Sequence, residues 1–287
     1  MPKASNVRQY KIDIVQKDKT MQSKYVPIVP AVKQGAEILL CLAKSPLFKM
    51  RLTDICNHVG IHKSKGYSIL NTLKNFGFVE KEPQTKTYSL GPAFLFLSGR
   101  VLDNAYDQQV VAPFLESLAR ETKSTAFFGL IVEGQLFVIA KHEADSGVNI
   151  TIRLGYKFPL TYSSHGKAIV AFLPKDEREK ILTSKRLWFN GDNSSVNMQR
   201  LRGELATCRQ RGFSLDIGEA DPRYSSIAAP VFSLHGKLVA SLFVVGIFEE
   251  KLIEPYGHAV AECAKKISYA FGADVEKIYH RITQEAL

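Results

Sequence analysis

Between Val32 and Gly91 the chain runs helix, helix, glycine turn, helix, then a strand pair, and this order constrains the fold more than any other feature. Val32, Ala36, Leu39, Leu40 and Ala43 recur at helical spacing, and Lys44-Ser45-Pro46 ends that pattern. A second helix covers residues 51–59, burying Leu52, Ile55, Cys56 and Val59, and Gly60 follows where a sharp turn calls for positive φ. A third spans His62–Phe76 with Ile69, Leu70, Leu73 and Phe76 on one face. Residues 78–82 and 87–91 then read as a β-hairpin around a Pro-Gln-Thr-Lys tip. Two steeply crossed helices need a short turn holding a small residue, and a following hairpin completes a winged helix-turn-helix.

Charge supports what this module would meet. Residues 1–100 carry 16 Lys and Arg against 6 Asp and Glu, whereas residues 101–287 carry 22 of each, so the formal net charge of +10 resides in the first third. A compact basic module on a neutral body is the footprint of a polyanion-binding domain. The third helix would be the recognition helix, and His62, Lys63, Ser64, Lys65, Tyr67 and Ser68 at its N-terminal end would reach base edges and phosphates, with Lys86 near the hairpin tip. Gly66 within that helix costs about 1 kcal/mol relative to alanine and marks close packing against another helix. Cys56, His58 and His62 imitate a metal-ligand spacing, but the periodicity buries Cys56 and the turn separates the histidines, so no metal is expected.

The chain divides into residues 1–29, a basic flexible arm with a short strand at 10–15; 30–91, the winged module; 92–110, a linker helix; and 111–287, a second domain. The arm is either inconsequential or adds phosphate contacts. The second domain alternates strands (125–133, 135–143, 148–155, 213–218, 226–234, 237–248) with helices (164–173, 176–184, 198–212, 254–272), an α+β pattern with a largely antiparallel sheet. No run approaches the roughly 18 apolar residues of a membrane helix. No secretory signal is visible, and Cys41, Cys56, Cys208 and Cys263 form no CxxC pair, so a cytoplasmic chain with reduced thiols and no membrane partner is expected. His142, Glu143, Asp145, His165 and Asp216 would supply acid–base chemistry only if they converged, and no nucleophile elbow, phosphate loop or HExxH is present, so neither an enzyme nor a cofactor is expected.

Three segments, in order, carry a resemblance. Residues 59–82 (VGIHKSKGYSILNTLKNFGFVEKE) with YSLGP at 88–92, residues 153–174 (RLGYKFPLTYSSHGKAIVAFLP) and residues 211–246 (RGFSLDIGEADPRYSSIAAPVFSLHGKLVASLFVVG) resemble the IclR family of bacterial transcription regulators, over roughly Val32 to Gly272. The resemblance implies a GAF-like effector-binding domain after the linker helix, a dimer or dimer of dimers, and palindromic operator DNA. It also implies a pocket at Ser163, Ser164 and His165, with Asp216 after the RGF segment and Ser226 where the family has cysteine. Phe243 and Val245 stand where the family strand supplies two serine hydroxyls.

The first turn of the helix at 164–173 offers unpaired N–H groups and a dipole suited to a carboxylate, while Asp216, Ser226 and His165 would orient a hydroxyl. Lys167, one step further in, points away from that anion site. The apolar walls favour an effector larger than a two- or three-carbon acid, such as an aromatic acid or phenol. If Phe243 and Val245 instead fill the core, the second domain serves assembly alone.

Overall fold

The computed structural model describes residues 28–45, 48–104, 108–145, 150, 152–184, 186–191 and 196–284, and the strand expected at 10–15 lies outside them. The described residues fall into two compact units, one within 28–104 and the other within 108–284.

In the first unit, α1 (Pro30–Lys44), β1 (Met50–Arg51), α2 (Leu52–Val59), α3 (Lys63–Asn75), β2 (Val79–Lys81), β3 (Thr87–Leu90) and α4 (Ala93–Asn104) follow one another. Gly60 ends α2 at φ 73°, the left-handed turn between the crossed helices. The hairpin β2–β3 gains β1 as a third strand, in the order β1-β3-β2. A two-residue strand carries no periodicity, which is why the sequence conceals it. Ile38, Leu42, Ile55, Leu70, Val79 and Tyr88 form the core.

Two core expectations are corrected. On α1 the buried residues are Gly35, Ile38, Cys41 and Leu42, while Val32 and Leu40 are 69% and 55% exposed. Ala36 and Ala43 are exposed as well, so of the five residues read at helical spacing Leu39 alone, half-buried, packs on the core. Helical spacing is satisfied by both faces of this helix, and packing against α2 and α3 selects the one carrying the large Ile38 and Leu42. Phe76 is also exposed, because α3 ends at Asn75 and the chain turns through Gly77 at φ 73°.

The second unit contains α5 (Gln108–Thr122), β4 (Thr125–Val132), β5 (Gln135–His142), β6 (Lys157–Pro159), α6 (Ser163–Phe172), α7 (Lys175–Leu182), α8 (Met198–Arg211), β7 (Ser214–Ile217), β8 (Ser225–Ser233), β9 (Lys237–Gly246), α9 (Glu250–Ala270) and α10 (Val275–Gln284). Its sheet runs β6-β5-β4-β9-β8-β7, with every neighbouring pair antiparallel. The central strands β4, β8 and β9 are buried on both faces and so read as continuous apolar runs. Phe127 stacks with Phe243, whereas Phe128, pointing oppositely, meets Phe271 after α9. Helix α6 thus covers the first face, and α5 and α9 cover the second.

The strand expected at 148–155 is absent from its described residues. Ile150 and Ile152 pack on the Phe127–Phe243 cluster. Gly155, at φ 80°, donates its N–H to the Val138 carbonyl of β5 and the Tyr156 carbonyl accepts from the Val138 N–H, and the regular ladder with β5 begins at Lys157. Helix α10 lies beyond the expected elements; its Val275 and Ile278 close a second cluster around Phe172, Phe232 and Leu205.

Candidate functional site

In the first unit, α3 presents its N-terminal end outward. His62 caps it: Nδ1 accepts from the Ser64 N–H at 3.4 Å and lies 2.8 Å from Ser64 Oγ. Lys63, Ser64, Lys65, Tyr67 and Ser68 are exposed, while Gly66 and Leu70 face inward. Gly66 is required there, since a Cβ would run into Cys56 Sγ on α2. Ser68 donates its proton to the Ser64 carbonyl at 3.1 Å, so outward it offers only lone pairs. Lys86 is exposed at the hairpin tip. Lys81, which pattern reading passed over, stands 5.9 Å above the Tyr67 ring and 5.5 Å above that of Tyr88, joining wing to helix. Cys56 is buried with its thiol pKa raised by desolvation, whereas His62 is on the surface; they do not converge.

In the second unit, strand register assembles a cavity of about 380 Å³. Asp216 pairs with Ser226, and Ser226 with Val245, placing these three in one row on the face beneath α6. Phe243 lies one row along, opposite Phe127 and Ala228. The start of α6 supplies Ser163 and His165. Ile150, Ile152, Arg153, Tyr156, Ala220, Asp221 and Tyr224 also line it.

The polar floor is continuous. Ser163 Oγ donates to Asp216 Oδ2 at 2.5 Å and lies 3.0 Å from Ser226 Oγ, which is 2.6 Å from Ser164 Oγ. Asp216 Oδ1 accepts from the N–H groups of Glu219 and Ala220 at 2.8 and 3.3 Å, holding the loop after β7. Ser163 has φ 51°, an uncommon value for a residue with a Cβ and one that such sites tolerate. The His165 ring packs among Phe158, Tyr162 and Phe243, with centroids 4.9–5.7 Å away. Its Nε2 is buried without a partner, and desolvation lowers its pKa to about 3, so the ring is neutral.

The cavity therefore brings together Ser163, His165, Asp216, Ser226, Phe243 and Val245; Ser164 stands behind Ser226. Lys167 turns the other way, where its buried ammonium meets Glu219 at 2.5 Å, Glu204 at 2.7 Å and the Leu215 carbonyl at 3.0 Å. Arg200 closes that cluster onto both glutamates. Arg153 and Tyr224 were missed by sequence reading, because no local pattern ties their loops to the sheet. Among the described residues, no cluster of three His, Cys, Asp or Glu could hold a metal ion.

A basic helix-turn-helix unit followed by a sheet domain enclosing a small-molecule-sized cavity defines a class of regulator. Comparison with known proteins gives the family: residues 31–83 match the IclR helix-turn-helix domain, and residues 100–269 match the C-terminal domain of the bacterial transcriptional regulator IclR. The chain belongs to the IclR family, and it is a transcriptional regulator, not an enzyme. It is 29% identical over 249 residues to the HTH-type transcriptional regulator RhmR of Escherichia coli (strain K12), covering 85% of this chain and 94% of that relative. An IclR regulator structure from Alicyclobacillus acidocaldarius aligns with a TM-score of 0.75 at 25% identity, over 86% of this chain and all of that one. An IclR homolog from Microbacterium hydrocarbonoxydans, solved in complex with 4-hydroxybenzoate, shares the fold with a TM-score of 0.72 at 19% identity, over 85% of this chain and all of the homolog.

Proposed function

We propose that the chain is a cytoplasmic, sequence-specific regulator whose hold on operator DNA is set by a small aromatic acid or phenol bound beneath α6. The observation that carries this reading is the cavity of about 380 Å³, polar at Asp216 and Ser226 and apolar at Phe243 and Val245. That volume falls within the range of small-ligand sites, and Phe243 and Val245 line it while also packing in the core beside Phe127. The homolog's complex with 4-hydroxybenzoate supports the same class of ligand.

On the DNA side, His62, Lys63, Ser64, Lys65, Tyr67 and Ser68 enter the major groove, and Lys86 reaches the backbone from the wing. The outward stripe of Val32, Ala36, Leu40 and Ala43, together with exposed Leu95 and Phe96 on α4, is the kind of apolar surface a second copy covers, giving a dimer or dimer of dimers on a palindromic site. Among the described residues no helix is long and apolar enough to cross a membrane. The domain limits at 30–91, 92–110 and 111–287 serve this mechanism, with the linker helix setting half-site spacing. Effector binding shifts that spacing, or the assembly state, by its unequal affinity for two arrangements.

The test is fluorescence anisotropy on DNA from upstream of the chain's own gene, at two salt concentrations, with and without aromatic and aliphatic acids. Lys63→Ala and Lys65→Ala are each expected to lower the salt slope by about one. Unchanged slopes in both variants would remove α3 from the interface. Specific binding that no bound compound alters would leave an effector-free regulator.

A further inference from the structure

The floor of the cavity has a direction. Each serine hydroxyl has one proton to give. Ser163 gives its proton to Asp216, so in its contact with Ser226 it can only accept, and Ser226 must donate. Ser226 is then spent, so Ser164 donates to Ser226. All three protons run toward the carboxylate, and the capacity left over at Ser163 and Ser226, the two hydroxyls that line the cavity, is lone pairs.

A carboxylate placed on this floor has no proton to offer and shares its sign with Asp216. A hydroxyl satisfies both neighbours: it donates to the serine–aspartate floor, and its oxygen accepts from an N–H in the first turn of α6. His165 brings no charge to balance a carboxylate on the floor, because its buried ring is neutral and holds at most one N–H for it. Nor does Lys167, whose ammonium is held by Glu204 and Glu219. Among the described residues lining the cavity, the one cation is Arg153, which is exposed, as are its neighbours Leu154 and Tyr156. Phe158, His165 and Phe243, which all line the cavity, form a wall suited to a flat ring.

We infer that the effector is a hydroxylated aromatic acid that buries its hydroxyl on Asp216, Ser163 and Ser226 and turns its carboxylate outward to Arg153, away from the end of α6. The inference rests on the ligand-responsive reading above and narrows it: the hydroxyl is obligatory.

The test is calorimetric titration of the full chain with matched probes. These are 4-hydroxybenzoate against 4-methoxybenzoate and benzoate, and lactate against propionate as an aliphatic pair. The hydroxyl-bearing aromatic probe is expected to bind at least about tenfold more tightly than its donorless partners. Asp216→Asn, which removes the charge and keeps the shape, is expected to narrow that gap to under about threefold and to strengthen benzoate. Ser226→Ala is expected to narrow it similarly if the asparagine variant does not fold, and the wild-type series needs no variant. Benzoate or 4-methoxybenzoate binding as tightly as 4-hydroxybenzoate overturns the orientation and leaves an effector site standing. If no probe of either pair binds, the effector reading falls and this inference with it.

Discussion

Replacing Lys167 by methionine tests the packing account at its most exacting point. The ammonium is buried and balances Glu219 and Glu204 at 2.5 and 2.7 Å while also donating to the Leu215 carbonyl. Removing one partner of a buried ion pair typically costs about 3–5 kcal/mol, because the other charge is left without compensation. Two features lower that figure here. The side chains of Glu204 and Glu219 are 29% and 15% exposed, and Arg200 still bridges both. We expect a loss of about 2–3 kcal/mol, a fall in Tm of roughly 5–10 °C for a unit of this size. The chain's single tryptophan, Trp188, lies in this unit and reports its unfolding in urea by fluorescence. Lys167→Met with Glu219→Gln should be more stable than Lys167→Met alone, since it removes one of the stranded charges. A loss below about 0.5 kcal/mol, or a double variant weaker than the single, would refute the buried-charge argument.

Gly66→Ala drives a Cβ into Cys56 Sγ and should cost about 1–3 kcal/mol while weakening operator binding; adding Cys56→Ala should restore most of both, measured by thermal melting and anisotropy. Phe243→Ser removes a buried ring stacked 5.2 Å from Phe127; urea unfolding should show a loss of about 3 kcal/mol, and calorimetry a shift of preference toward small oxo-acids. Burial lowers the pKa of His165 to about 3, below the ordinary value of 6.5, so the unfolded chain takes up this proton first as pH falls. The stability it contributes is complete above about pH 6.5 and lost by about pH 3; between pH 7 and 5 wild type should lose about 2 kcal/mol more than His165→Gln, read from urea midpoints.

How much of this was legible in sequence depended on whether the signal was local. Gly60, the apolar face of α3 and the hairpin tip are all local features, and they placed the helix-turn-helix within a residue of its observed limits. The faces of α1 were not legible, because Val32-Ala36-Leu40 and Gly35-Ile38-Leu42 fit the same spacing and only packing partners choose between them. The cavity's serines and aspartate were located through resemblance, but their arrangement arises from the register of β7, β8 and β9. The pairing of Lys167 with residues 37 and 52 positions away, and the approach of Arg153 and Tyr224, are likewise products of tertiary packing that no short window records.

The central claim is that occupancy of the cavity and grip on DNA are one coupled equilibrium. Coupling between two binding sites is reciprocal, so the factor by which a ligand changes operator affinity must equal the factor by which operator changes ligand affinity. The decisive measurement is titration of a hydroxybenzoate probe into the full chain, free and saturated with its operator. A change of about fivefold or more, matched by the reverse titration, is the result expected. Ligand binding of identical affinity with and without DNA would contradict the account.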